Sequence, residues 1–368
     1  MTSDALTAAI DQFADPRGYL AVASIGLPTR HSVAAMTADL AAWYAADRDP
    51  QGYDAVIART RAAYAGLVAV PVEAVAIGSQ TSVITSLIAD AAPDGAEVVV
   101  VAGDFSSIEF PFVARPGIRL RAVELDALAD ALTDETWLVA FSLVQSATGR
   151  IADTDAILEA ARRHDVLTLC DTTQAVGVLP VDASPWDATI CHSYKWLCSP
   201  RGVAFLTLRS RLADLLVPTQ AGWYAGDDPW ANCYGPAMSL ATDARRFDVS
   251  PAWQAWVGAE PAITMFGGLD IAEVWQRASG LGDMLCDALG IDEQHQAIVT
   301  WPDPDGAHLA LLIAAGIRVS GRAGRLRAAF HLWNDESDVD RVAAVLHEAG
   351  ALRRTGRRRR EMALRRRR

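Results

Sequence analysis

With 368 residues, 51% of them hydrophobic and 21% charged, the chain can bury a sizeable core and has the balance of a soluble globular protein. The net charge of −12 is uneven: from Arg353 to Arg368 ten arginines face one glutamate, so this run carries +9 and the rest −21. So acidic a body argues against general nucleic-acid binding. No apolar run reaches the roughly 18 residues of a spanning helix, and Asp4 and Asp11 deny the N-terminus the basic start of a secretory signal. The expectation is a cytoplasmic protein, neither membrane-bound nor a nucleic-acid partner, whose five cysteines, with no CxxC pair or metal spacing, are buried thiols.

In chain order, Asp54–Val68 has the period of an amphipathic helix, Val72–Ile77 reads as a strand and Thr81–Ala91 as a helix. Glu97–Ala102 and Trp137–Leu143 are strands, Asp153–His164 is a helix, and Val166–Cys170, Ala188–His192 and Val203–Leu208 are short apolar runs. Strands alternating with helices of this length predict a mostly parallel sheet wrapped on both faces. After Pro251 the pattern becomes one long helix over Ala252–Ala278, then Ala307–Ile313, Arg325–His331 and a last helix at Ser337–Ala349, ended by Gly350. The expected organisation is a large α/β domain over 1–250, a smaller α/β domain over 251–352, and a basic tail over 353–368. Such a tail cannot bury enough apolar area to order itself.

The chain has 32 arginines and a single lysine, Lys195. Either cation serves on a surface, but a guanidinium cannot give up its proton and attack a carbonyl, so a lone lysine is expected at a catalytic amine if there is one. Lys195 lies just past the run Ala188–His192, in Ser193-Tyr194-Lys195-Trp196, where apolar neighbours would favour the free amine. Three further groups lie at strand ends, where doubly wound sheets bind ligands. Gly78-Ser79-Gln80-Thr81-Ser82 opens a helix whose N–H groups can hold a phosphate, or simply carries helix caps. Asp171 can pair with a protonated pyridine nitrogen or cap the next turn; Phe105 can cover a planar ring or fill the core.

Asp171-x-x-Gln174 followed by Ser193-Tyr194-Lys195-Trp196-Leu197 and Pro200-x-Gly202 resembles the class V aminotransferases of pyridoxal-5′-phosphate (PLP) fold type I. That group includes cysteine desulfurases, kynureninases, isopenicillin N epimerase and ergothioneine C–S lyases. The resemblance runs from about Gly18 to Leu352 and is most specific over Asp171–Gly202. It implies a large, mostly parallel seven-stranded sheet domain with a smaller C-terminal α/β domain, and PLP held by Lys195 as a Schiff base. It further implies Asp171 at the pyridine nitrogen and Gln174 at the ring hydroxyl, with Phe105 stacked on the ring. Gln80, Thr81, Ser193 and Tyr194 would hold the phosphate, and Arg327 the substrate α-carboxylate. Trp223, near Arg246, falls where similar enzymes reach a neighbouring subunit's phosphate, which implies a homodimer with shared active sites.

Two departures bear on activity. Ser146 stands where the family often has Asn at the ring hydroxyl. The stretch Val319–Gly324 lacks the cysteine that desulfurases carry before the final arginine strand. The reading is therefore a PLP-dependent aminotransferase acting on an amino acid, with a kynureninase-like hydrolase or C–S lyase as the alternative. The competing class is a binding protein working through its tail with a vestigial PLP site.

Overall fold

The computed structural model describes residues 3–349; Gly350 and the basic run 353–368 lie outside the described residues. It divides into two units, one formed by residues 26–146 and 151–269, the other by the described residues up to Ile25, Ala147–Arg150 and those from Asp270 onward.

Chain order begins with α1 (Asp4–Ile10), which belongs to the second unit, then α2 (Arg30–Tyr44) and α3 (Gly52–Leu67) in the first. The first unit is built on seven strands: β1 (Val75–Gly78), β2 (Glu97–Val101), β3 (Arg119–Val123), β4 (Thr136–Ser142), β5 (Leu167–Asp171), β6 (Ala188–His192) and β7 (Ala204–Leu208). Around them run α4 (Thr81–Asp90), α5 (Ser106–Ala114), α6 (Thr154–Arg163), the short α7 (Ser210–Ala213) and α8 (Trp253–Gly267). The sheet order is β1-β7-β6-β5-β4-β2-β3. β2, β5, β6 and β7 are buried along their whole length, as strands covered on both faces must be, which is why they read as continuous apolar runs. β3, with the sequence RLRAV, is the polar edge.

Pairing is parallel except at β7, which runs against both β6 and β1. Gly78 and His192 are both in register with Ala204, so the ends of β1 and β6 lie on either side of the start of β7. Ser142, Asp171 and Ile190 form the corresponding row across β4, β5 and β6.

The second unit holds a sheet of order β8-β10-β9, from β8 (Ile298–Pro302), β9 (Ser320–Arg322) and β10 (Arg325–Ala329), with α9 (Ile271–Leu289), α10 (Ala307–Ala314) and α11 (Glu336–Glu348). The N-terminal residues join it through bridges from Tyr19 to Arg318 and from Ala21 to Ala329.

Three expectations change. The helix expected over Ala252–Ala278 is two helices: Gly267 and Gly268 end α8, and Asp270 caps α9 by accepting from the Ala272 N–H. Val72–Ala74, following Pro71, is a 3₁₀ turn rather than strand. The division expected after residue 250 falls at 269/270, because α8 packs on α2 and α3, whereas the described residues up to Ile25 group with the C-terminal sheet they pair with. Among the described residues no helix is long and apolar enough to cross a membrane.

Candidate functional site

β6 delivers its last residue, His192, directly into the turn that carries Lys195, which is 4% exposed, and Trp196, 1% exposed. Two glycines clamp this turn. The Gly26 N–H donates to the Tyr194 carbonyl at 2.8 Å, and a Cβ on Gly26 would stand 2.0 Å from the Lys195 carbonyl oxygen. Gly177, at φ +102°, lies so close that a Cβ would be 2.8 Å from the Trp196 carbonyl. Both neighbours are backbone and have little room to yield. Gly26→Ala is therefore expected to displace the lysine turn and cost about 1–3 kcal/mol of stability, as overpacking does. Denaturant midpoints check this; an unchanged midpoint would mean the contact is not a constraint.

Trp196 Nε1 donates to Gln174 Oε1 at 2.8 Å, and Gln174 Nε2 donates to Ser146 Oγ at 3.1 Å. Two expected site residues, Gln174 and Ser146, are thus linked to the lysine turn.

Asp171 ends β5 and is 3% exposed. Its Oδ1 accepts from the Thr173 N–H at 2.8 Å, so it does cap the turn that follows. Burial pushes its carboxyl above the usual range, against the opposing pull of Thr173 and of the Lys195 charge. Such a carboxylate gains from a cation placed beside it.

Phe105 is not core: it is 42% exposed, at the cap position of α5, and its ring centre lies 5.3 Å from Lys195 Nζ. Asp104 holds it there. One oxygen of Asp104 accepts from the Phe105 N–H at 2.6 Å, the other from the Ser142 N–H at 2.7 Å and from Gln145 Nε2 at 3.0 Å, tying the ends of β2 and β4 together.

At the start of α4, Thr81 is buried and Gln80 occupies the cap position, but no side chain caps the helix, so its first N–H groups remain open to an anion. The Ser193 hydroxyl donates to the Val203 carbonyl at 2.8 Å, which directs its hydrogen into the sheet. Tyr194 is 8% exposed and packs against His192, with 4.3 Å between ring centres, and His192 Nε2 is buried without a hydrogen-bond partner.

Trp223 packs its ring on Tyr224 and Trp230. Arg246 donates to the Ala213 carbonyl at 2.9 Å. Arg327 belongs to the second unit, where it is 1% exposed at the centre of β10 and donates to Ser320 Oγ at 3.0 Å and Ser24 Oγ at 2.9 Å. Its neighbour Arg325 is taken up by Thr300. β9 and β10 close through a two-residue turn, Ala323-Gly324.

Gly26, Gly177 and Asp104 escaped the sequence reading. Only Asp104 gave a signal, since it directly precedes Phe105; the glycines act on residues far away in the chain.

The family model for class-V aminotransferases matches residues 116–310. Isopenicillin N epimerase of Amycolatopsis lactamdurans is 29% identical over 254 residues, 61% of this chain and 63% of that protein. Kynureninase of Deinococcus radiodurans is 30% identical over 250 residues, 63% of this chain and 59% of that protein. The match therefore spans about three fifths of each relative's own length. Among solved structures, the cystine C–S lyase C-DES in complex with cysteine persulfide superposes with a TM-score of 0.80, covering 90% of this chain and 97% of that one at 22% identity. At that identity the likeness speaks to the fold.

Proposed function

The chain belongs to the class-V aminotransferase family of PLP-dependent enzymes, and from that premise we propose that it removes the amino group of an amino acid by transamination, with Lys195 as the attachment point of the cofactor. The observation that carries the reading is the placement of the only lysine: buried at a strand end, 5.3 Å from a half-exposed aromatic ring. The surrounding residues fit the group. A buried carboxylate whose ionised form lacks solvent suits a ring nitrogen that carries a proton; the uncapped α4 start suits a phosphate; Phe105 offers a face to a planar ring.

In this reading Asp171 holds a proton on the ring nitrogen. At about 4 Å and an effective dielectric near 20, that pairing is worth on the order of 4 kcal/mol. Gln174, fixed by Trp196 and Ser146, serves the ring hydroxyl. Gln80 and Thr81 present the α4 N–H groups to the phosphate, and Phe105 shields one ring face from water. Bound there, the cofactor supplies an electron sink for the substrate Cα. The Lys195 amine takes and returns the Cα proton. Arg327 grips the α-carboxylate, and Trp223 reaches a second copy of the chain in a homodimer.

Transamination is preferred over side-chain cleavage because, among the described residues, the two cysteines that flank Lys195 are poor nucleophiles. Cys191 and Cys198, either side of the lysine, are fully buried; burial pushes the first thiol up to about 12 and the second further. The two-residue turn before β10 leaves no loop for a cysteine there. A panel of amino acids scored for keto acid, ammonia, sulfide and alanine release tests the reading. Keto-acid formation coupled to amination of an acceptor is expected; release of alanine or sulfide without keto acid would overturn it.

Arg327→Lys keeps the charge and loses the fork. With two charge-assisted bonds of about 1.5–3 kcal/mol at stake, a loss of roughly a hundredfold in kcat/KM is expected, with unchanged cofactor spectra. Near-normal kcat/KM would place carboxylate binding elsewhere.

A further inference from the structure

Arg201 lies where three strand ends meet. Ala204, three residues on, is in register with Gly78 at the end of β1 and with His192 at the end of β6. Arg201 thus enters the sheet between the segment leading to the α4 start and the segment leading to Lys195, which leave the sheet two strand spacings, about 10 Å, apart. Its guanidinium carbon sits 4.4 Å from the centre of the Tyr194 ring, and the same ring centre is 5.6 Å from Lys195 Nζ. Arg201 is exposed and, among the described residues, makes no hydrogen bond or ion pair. In a body carrying −21, an arginine fixed by stacking but left without an acid is set to receive an anion.

Charge balance identifies that anion. A phosphate monoester carries about −1.5 to −2 near neutral pH. The open end of α4 offers about half a positive charge, and Gln80, Thr81, Ser193 and Tyr194 offer none. His192 is no help: burial, then the nearby Arg201 charge, lowers its pKa to about 4. We propose that Arg201 is the cation of the cofactor's phosphate subsite, held in position by stacking on Tyr194. The proposal rests on the cofactor being attached at Lys195.

The test compares PLP with pyridoxal, which keeps the ring and aldehyde but lacks the phosphate. Each is titrated into the full chain and into Arg201→Gln, following the visible band and tryptophan fluorescence, with inorganic phosphate as competitor. Arg201→Gln is expected to weaken PLP at least tenfold, leave pyridoxal within twofold, and blunt phosphate competition; Arg201→Lys should recover part of the loss. Equal weakening of both ligands would mean that Arg201 only shapes the turn. Unchanged PLP affinity, with or without an altered KM for the amino acid, would also overturn the proposal. If the unmodified chain gave no visible band with either ligand, the attachment at Lys195 would be what failed, and the subsite with it.

Discussion

Lys195→Ala is expected to abolish the visible absorbance of the cofactor-loaded protein and to reduce turnover by three orders of magnitude or more. The side chain has two roles in the proposed reaction, holding the cofactor covalently and moving the Cα proton, and loss of a general base alone is worth about 10²–10⁴-fold. The turn itself should survive, because its backbone bonds to Gly26 and Cys198 do not involve the side chain. Near-ultraviolet circular dichroism of the cofactor-free variant checks that point. Borohydride reduction followed by peptide mapping gives a second readout: with one lysine in the chain, a single labelled lysine is expected, absent from the variant. A yellow, reducible cofactor retained in Lys195→Ala would move the attachment elsewhere and undo the site.

Asp171→Asn is expected to be nearly as damaging to turnover, and harmless to the cofactor-free fold. Removing the charge deprives the ring nitrogen of a pairing worth on the order of 4 kcal/mol, close to a thousandfold in kcat at about 1.4 kcal/mol per tenfold. Asparagine can keep the bond from the Thr173 N–H through its own Oδ1. Stability shifts in the opposite direction. The folded carboxyl lies above its reference value of 3.8, chiefly through burial. An acid raised in this way favours folding below the reference pKa and costs stability as pH rises through the folded one. At pH 7 the cofactor-free Asn variant should therefore melt no lower than the parent, and its melting temperature should depend less on pH in the acid range. A clear drop at pH 7 would show that Asp171 is held by a charge within the protein, and its proposed role would fall.

The large sheet was legible because its central strands are buried on both faces, leaving runs such as Val98–Val101 with no polar interruption. Where burial is one-sided the signal fades: edge strand β3 has arginine at 119 and 121, and α2 buries only Ser32, with Val33, Leu40, Trp43 and Tyr44 outward. Apolar content continues through Gly267-Gly268 and so predicts one long helix, whereas the glycine pair and the capping Asp270 mark the break. Lys195, Asp171 and Phe105 were visible as residues at strand ends. What holds them was not. Gly26 matters only because it meets the Lys195 carbonyl, and Asp104 only because Ser142 and Gln145 come to it. Such contacts are properties of the assembled chain, and no local pattern encodes them. The capping reading of Asp171 proved compatible with the chemical one, since its Oδ1 serves the turn while the side chain stays at the strand end.

The pairing of the N-terminal residues with β10 fixes an order of events during synthesis. Asn334 Nδ2 donates to the Tyr19 carbonyl at 3.1 Å across 315 positions of chain, and the Leu20 carbonyl receives the Ala329 N–H. At roughly 5–20 residues per second, Tyr19 and Leu20 wait about 15–60 s after their own synthesis for these partners. Residues 26–269, which include every strand of the large sheet, are complete well before then. Joining the two chain ends late adds little closure entropy, since that cost grows only with the logarithm of loop length. A nascent chain halted near residue 300 should thus already hold a protease-resistant large unit while residues 3–25 are still open to cleavage.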